Sequence, residues 1–146
     1  MHTVAGVKKS LLIQYASMKG AESNCPDGIS QASEIDGLSV VSYSGCNYMR
    51  AMESGKWCVA FLNHGDRFVS PSYMERHLET DEVFVLLSGS ATLTIGVHRQ
   101  KVEMSPFRIY NVLKGTWHQI VTRPGTMCLI IENANTSAEN TEKISI

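Results

Sequence analysis

The sequence predicts an all-β protein, an antiparallel sandwich or barrel, on three observations. From Leu38 onward the chain is a series of short apolar or alternating runs. Turn-forming segments such as "ESGK", "HGDR", "SGS" and "RPGT" separate these runs. Amphipathic helices do not alternate with them, which argues against βαβ units. At 146 residues, the chain fits a single domain.

Eight runs have the length and composition of β-strands. In chain order they are LSVVSYS, KWCVAFLN, EVFVLLSG, ATLTIGV, RIYNVL, HQIVT, TMCLIIEN and a final KISI. The run that begins at Glu82 is apolar on both faces, with Phe84 and Leu86 on the face of Glu82. A strand covered on both sides belongs inside a barrel or sandwich, so we expect Glu82 to face the interior.

The first 37 residues differ in character from the rest. They include a loop-forming segment, SNCPDGISQAS, and an apolar run that Gln14 and Tyr15 interrupt, which favours a short helix or an edge strand over a signal peptide. We therefore expect residues 1–37 to pack on the barrel formed by residues 38–146, or to exchange between two barrels.

Composition limits the partners and the location. The formal net charge is −1 with mixed signs along the chain, which excludes a basic face for nucleic acid or a membrane and suits a small neutral or anionic ligand. No stretch approaches the roughly 20 apolar residues of a membrane span. The four cysteines form no CxxC pair, and Cys58 and Cys128 lie in apolar runs that predict burial. We expect a cytoplasmic protein.

Four polar residues form a candidate metal site. Glu75 and His77 project to one side of an extended strand, and the intervening LETD turn can return Glu82 to that side. His118 opens a later strand and shares a face with Ile120 and Thr122. Two imidazoles with carboxylates are suitable ligands for Zn, Mn, Fe or Ni, and the spacing does not select among these ions.

Two segments resemble the motifs of the cupin family. ERHLETDEVFVLLSG is similar to the first motif, with His77 at its second histidine, Glu82 at its glutamate and Gly89 at its glycine. LKGTWH is similar to the second motif, with Gly115 and His118 in place. The resemblance covers about residues 74–133 and implies a small antiparallel jelly-roll barrel, the cupin β-barrel, whose interior holds the ligands.

The chain departs from these motifs at two positions. Glu75 stands where the first histidine is usual, and Leu113 replaces a proline. The resemblance then implies a divalent ion held by two nitrogens and two oxygens, from Glu75, His77, Glu82 and His118, or a site that has lost its metal. ERHLETDEVF also resembles a segment of ureidoglycolate lyase, a cupin-like enzyme of purine breakdown.

The sequence leaves two functions open. The first is a metal-dependent lyase, isomerase or dioxygenase acting on a small polar metabolite, with Glu75 and His118 as catalytic residues. The second is a non-catalytic cupin that binds a small molecule. Because cupin-like barrels tend to pair, we also expect a homodimer.

Other side chains are assigned by their context. Trp117 is expected to face away from His118, and His64 and His98 to lie exposed in turns. Candidates for lining the cavity and binding substrate are Tyr48, Arg50, Phe84 and Tyr110.

Overall fold

A computed structural model describes residues 30–146, which form twelve β-strands and one short 3₁₀ helix, Asp66–Phe68, between the fourth and fifth strands. Over this range, no helix is long and apolar enough to cross a membrane. The strands are β1 Ser30–Ile35, β2 Leu38–Tyr43, β3 Asn47–Ser54, β4 Trp57–Asn63, β5 Tyr73–His77, β6 Glu82–Ser88, β7 Ala91–Ile95, β8 Gln100–Glu103, β9 Ile109–Val112, β10 His118–Thr122, β11 Met127–Asn133 and β12 Thr141–Ser145.

Ten of these strands form two five-stranded antiparallel sheets. We call them the β5 sheet, in the order β12-β5-β10-β7-β8, and the β6 sheet, in the order β3-β4-β11-β6-β9. β1 and β2 pair only with each other, as a separate hairpin. The predicted all-β antiparallel barrel is confirmed.

Alternating side chains fill the space between the sheets, because successive residues of a strand point to opposite faces. β6 directs Glu82, Phe84 and Leu86 inward, as the sequence predicted, and all three are buried. Cys58 and Cys128 are fully buried, which confirms their predicted place in apolar strands. Full burial of an aliphatic or aromatic side chain contributes about 1.5–3 kcal/mol, so this shared interior supplies much of the stability.

Gly89 closes the β6–β7 turn with a φ of 74°, a left-handed conformation that favours glycine. A Cβ atom at this position would lie 2.5 Å from the carbonyl oxygen of Gly125. The glycine of the first motif is therefore explained by backbone conformation and by a close approach of two turns.

The strand list differs from the expected one in several places. β1, β3 and β8 were not among the expected runs. The expected loop SNCPDGISQAS is wrong for residues 30–33, which belong to β1 because they pair with β2. The LSVVSYS run lies in the hairpin instead of in either large sheet. The expected boundary at residue 37 falls in the turn of that hairpin, where Asp36 and Gly37 both have positive φ. The helix or edge strand expected near Gln14 lies outside the described residues, and the role of the amino-terminal segment stays a prediction.

Candidate functional site

The central strands of the β5 sheet align the predicted site residues. His118 on β10 pairs with Glu75 on β5, and the neighbouring β12 places Thr141 beside His77 and Lys143 beside Glu75. One ligand atom each from Glu75, His77 and His118 lies within 4.8 Å of the others. The same-face spacing of Glu75 and His77 thus delivers both side chains to one cluster.

Glu82 reaches the same cluster from the opposing β6 sheet. Its Oε2 atom lies 2.7 Å from His118 Nε2 and 3.1 Å from His77 Nε2. The two imidazole rings are 5.4 Å apart between centroids. Glu75 shares one group of close donor atoms with His77 and His118, and Glu82 shares another with His77 and Glu132. Binding of one ion by all four predicted ligands stays a prediction.

Two turns hold this cluster in place. The backbone N–H of Gly115 donates to the carbonyl of His77 at 2.8 Å, and Gly115 has a φ of 77°. The carboxylate of Asp81 accepts from the backbone N–H of Lys114 at 2.8 Å and from the Asn111 amide at 3.0 Å. The segments of both motifs are thereby hydrogen-bonded to each other next to the site.

Both imidazoles are held by their outer nitrogens. His77 Nδ1 lies 2.9 Å from Thr141 Oγ1, and His118 Nδ1 donates to the carbonyl of Thr116 at 3.0 Å. Because a carbonyl can only accept, a neutral His118 carries its proton on Nδ1 and directs the Nε2 lone pair into the cavity. Metal-binding histidines in proteins commonly have this arrangement.

The surroundings of His118 Nε2 suit a bound ion better than they suit the contact with Glu82. It is buried and lies 2.7 Å from Glu82 Oε2, but this contact lacks the geometry of a hydrogen bond, and no other partner lies within residues 30–146. A buried polar atom without a partner costs free energy. The nitrogen and oxygen donors around it suit a divalent transition ion, so the residues present fit such a group.

Charge coupling shifts the titration of the three buried groups. Burial raises the pKa of Glu82, but its contacts with His118 and His77 outweigh this effect and lower the value to about 2. Burial lowers the pKa of each histidine, and Glu82 outweighs it, so both values are raised above the usual range. These shifts favour the ionised form of Glu82 and the protonated forms of the two imidazoles.

Glu132 on β11 is a buried acid that the sequence analysis did not single out. The Tyr48 hydroxyl donates to Glu132 Oε1 at 2.6 Å, and an oxygen of Glu132 lies within 4.8 Å of ligand atoms of His77 and Glu82. Burial raises the pKa of Glu132. The signal was present, since alternation from Cys128 through Ile130 points Glu132 to the interior.

A cavity of about 470 Å³ opens from this cluster. Glu75, His77, Glu82, His118 and Glu132 all line it. The remaining lining residues are Tyr48, Arg50, Leu62, Arg67, Phe68, Pro71, Tyr73, Phe84, Gln119, Ile120, Thr136, Ser137, Ala138, Thr141 and Lys143.

The predicted substrate-binding residues differ in their access to this cavity. Tyr48, Arg50 and Phe84 line it, but the guanidinium of Arg50 already donates to the carbonyls of Ala134 and Thr136 at 2.9 and 3.0 Å. Arg50 therefore fixes the loop that follows β11 and has few donors left for a substrate.

Tyr110 lies apart from the cavity. Its side chain packs against the core, and its hydroxyl accepts from the backbone N–H of Ser105 at 2.8 Å. Trp117 stacks with the guanidinium of Arg76, 4.6 Å from its ring centroid, and is not among the cavity-lining residues.

The two remaining histidines of the described range have different surroundings. His98 is exposed, as expected for a turn. His64 is half-buried instead, because its Nδ1 atom lies 3.0 Å from Thr122 Oγ1 on β10.

Comparison with known proteins identifies the architecture. No protein-family model matches the chain, and no curated protein sequence matches it. A variant of Streptomyces PAC13 with uridine aligns over 80% of this chain and 85% of that chain, at 10% identity and a TM-score of 0.52. Pac13 is a cupin-fold nucleoside dehydratase. The chain has the cupin fold. KdgF from Halomonas sp., another cupin, aligns over 63% of this chain and 81% of that chain, at 10% identity and a TM-score of 0.51.

The cupin fold explains why the site lies where it does. The resemblance of the two sequence motifs is confirmed at the level of the fold. Both motifs deliver their histidines and Glu82 to the space between the sheets. The polar cluster and the cavity that opens from it therefore lie inside one cupin barrel.

Proposed function

We propose that this cupin is a divalent-metal-dependent enzyme of the lyase or isomerase class that acts on a small polar metabolite. The observation that carries the proposal is the convergence of His77 and His118 on Glu82, with a buried His118 Nε2 that lacks a hydrogen-bond partner in the described chain. Two imidazoles that converge on one buried carboxylate form a donor set that suits a divalent transition ion.

The ligands in this proposal are His77, His118, Glu82 and Glu75. A bound Zn, Mn, Fe or Ni ion would polarise a carbonyl or hydroxyl oxygen of the substrate. Thr141 and the Thr116 carbonyl keep both imidazoles oriented through their outer nitrogens. The carboxylates of Glu82 and Glu75 supply negative charge that favours a cation over two protons.

Glu132 and Tyr48 are the proton-transfer pair in this proposal. Their side chains line the same cavity, and Tyr48 holds one Glu132 oxygen by a hydrogen bond of 2.6 Å. The raised pKa of Glu132 brings it towards neutral pH, which suits a group that accepts and returns a proton. We favour a lyase or isomerase over a dioxygenase because proton transfer is the step these side chains can perform.

One comparison supports this class of reaction. Pac13 is a nucleoside dehydratase, and dehydration is an elimination of the lyase type. A barrel of the same fold thus accommodates elimination chemistry on a small polar molecule.

A second candidate function is a binding module without turnover. It is favoured by the way Glu82 already compensates both imidazoles in the absence of an ion, at 2.7 and 3.1 Å. In that case the cavity would bind its ligand through hydrogen bonds alone.

Metal analysis and an activity screen separate the two functions. Protein purified without chelator is analysed for metal as wild type, His77→Ala and His118→Ala, with His98→Ala as the matched control because His98 is exposed. Small ureido, hydroxy-acid and sugar-like compounds are then screened with chelator and with added Zn, Mn, Fe or Ni.

We expect about one metal per chain in wild type and His98→Ala, loss of metal in the other two variants, and turnover that chelator abolishes. Ligand-induced thermal stabilisation that survives chelation, with no turnover for any metal, would favour the binding module instead.

A further inference from the structure

We infer that the mouth of the cavity binds an anionic group of the substrate, a carboxylate or a phosphate, through Arg67 and Lys143. The inference rests on the proposed function insofar as it takes the cavity to be the substrate site. It adds the chemical class of the substrate and two residues that determine specificity.

Arg67 is a cation without a counter-charge. It follows Asp66 in the 3₁₀ helix and lines the cavity, yet no carboxylate of residues 30–146 lies within 4.0 Å of its guanidinium. Within the described range, its one side-chain hydrogen bond is a long one of 3.4 Å to the Tyr73 hydroxyl. Most of the five guanidinium N–H donors are therefore free for a ligand.

The position of Arg67 is nevertheless fixed. Its backbone N–H donates to Asn47 Oδ1 at 3.3 Å, and the adjacent Phe68 side chain is buried in the core. The guanidinium carbon lies 5.1 Å from the centroid of the Phe68 ring. An arginine held over an aromatic ring loses little further conformational freedom when it binds an anion.

Lys143 supplies the second positive charge. Its amine lies 4.4 Å from the centroid of the Tyr73 ring, whose hydroxyl contacts Arg67. It forms an ion pair with Glu75 Oε2 at 3.8 Å, which is longer than a hydrogen bond, so its N–H donors can still bind a ligand. Tyr73 thus stands between two cations, both of which line the cavity.

The register of the β5 sheet links this mouth to the histidines. Lys143 pairs with Glu75, and Glu75 pairs with His118, so the three residues occupy one row across β12, β5 and β10. Neighbouring strands are about 4.8 Å apart, so the row spans roughly 10 Å between the backbones of Lys143 and His118. A small metabolite can have its anionic end at the mouth and its reacting end near the imidazoles.

Gln119 holds the backbone next to the same cavity mouth in place. Its side-chain amide donates to the carbonyls of Pro71 and Tyr73 at 2.9 Å each, which fixes the segment between the 3₁₀ helix and β5. Arg50 cannot take the role of Arg67, because its donors are engaged by Ala134, Thr136 and Glu53.

The test uses two anionic probes and one neutral probe. Succinate and inorganic phosphate are titrated calorimetrically into the protein as purified and after chelator treatment, with succinamide as the uncharged match of succinate. The variants are Arg67→Gln, Lys143→Gln and the double variant. A charge-matched control is Lys56→Gln/Lys101→Gln, since both lysines are exposed and outside the cavity lining.

We expect at least one of the two anions to bind saturably and succinamide not to bind. The double variant should bind that anion at least about tenfold more weakly, whereas the control pair stays within about twofold of wild type. The conservative Arg67→Lys variant should bind the anion more tightly than Arg67→Gln, because it keeps the positive charge. A loss of affinity caused by misfolding would not depend on that charge. Binding of succinate alone assigns the site to carboxylates, and binding of phosphate alone assigns it to phosphates.

Three results would overturn the inference: no saturable anion binding, an equal loss in both double variants, or equal binding of succinamide. Anion binding that disappears on chelation and is unaffected in Arg67→Gln/Lys143→Gln would place the anion at the metal centre, which contradicts the inference and leaves the proposed function intact. Conversely, anion binding at the mouth of a protein that takes up no metal would leave the inference standing without the proposed function.

Discussion

The hydroxyl of Tyr48 and the carboxylate of Glu132 form a hydrogen bond of 2.6 Å inside the barrel, between strands 84 residues apart in the chain. We expect Tyr48→Phe to lower the free energy of unfolding by about 1–3 kcal/mol, because it leaves a buried carboxylate without its donor. Urea unfolding of Tyr48→Phe, Glu132→Gln and the double variant measures the coupling free energy between the two side chains. A coupling energy of about 0.5 kcal/mol or more is expected, and strictly additive effects would speak against the pair.

The stability of the metal-free protein should depend on pH in a defined direction. The raised pKa values of His77 and His118 mean that their contribution is complete below about 6.5 and is lost as the pH rises through the folded-state values. Glu82 contributes fully above about 4.5 and loses its contribution as the pH falls towards about 2. The raised pKa of Glu132 gives a contribution that is complete below about 4.5 and is lost as the pH rises through its folded-state value, so it adds to the loss of stability on the alkaline side.

Thermal unfolding in chelator across this range tests that expectation. The melting temperature should be highest between about pH 4.5 and 6.5 and fall on both sides. Glu82→Gln should lower the maximum and flatten the profile, whereas Glu139→Gln, an exposed acid, should leave it unchanged. A Glu82→Gln profile parallel to that of wild type would contradict the assigned coupling.

Metal affinity should rise with pH, whereas the contribution of His77 and His118 to the stability of the metal-free protein falls with pH. Each imidazole must lose its inner proton to bind an ion, and Glu82 favours that proton in the free protein. The apparent affinity for Zn or Ni should therefore rise between about pH 5.5 and 8, with release of at least one proton. Calorimetry in buffers of different ionisation enthalpy measures this release, and a pH-independent affinity would count against imidazole ligation.

The outer face of the β6 sheet predicts how two chains associate. One row of paired residues crosses all five strands without a charge: Ile109, Val85, Leu129, Phe61 and Met49. The next row continues with Val83, Ile131, Val59 and Met52 and ends at the polar Asn111 on β9. An apolar face of this extent on a β-sheet is typical of an interface, and an uncharged face is self-compatible.

We expect a homodimer in which these faces pack together. Light scattering should give twice the chain mass of 16.1 kDa, and Leu129→Glu should give a monomer. Val97→Glu is the control, because Val97 is an exposed apolar residue in a turn of the other sheet. A wild type that is monomeric at micromolar concentration would remove this prediction.

Alternation explains why much of the site was predictable. Glu82, Phe84 and Leu86 share a face, as do His118, Ile120 and Thr122, because a strand repeats every two residues. The two-residue spacing of Glu75 and His77 then assigned this pair to one face, and the motif match added Glu82 and His118.

Tertiary pairing explains what was missed. NYMRAMES has few β-branched residues, and it becomes strand β3 through its pairing with β4, a long-range effect that local composition does not report. Glu132 belongs to the site only because β11 lies beside β4 and β6, and the free charge of Arg67 follows from the neighbours of the 3₁₀ helix.

Glu75 and Glu132 should show different roles when each is replaced by glutamine. Glu75 clusters with His77 and His118, so Glu75→Gln should weaken metal binding by about tenfold or more through loss of a charged ligand. Glu132 is held by Tyr48 and has a raised pKa, so Glu132→Gln should leave metal affinity within about threefold and lower kcat by about 10²–10⁴.

Metal titrations of both variants, followed by turnover of the best substrate from the screen at saturating metal, provide the comparison. Glu103→Gln is the matched control, since Glu103 is an exposed acid on β8 and does not line the cavity. Excess metal should restore turnover to Glu75→Gln and not to Glu132→Gln, because added ion can compensate a weakened site but cannot replace a missing proton acceptor. If instead Glu132→Gln loses the metal and Glu75→Gln keeps it, the two residues exchange roles, and the ion lies towards the β6 sheet.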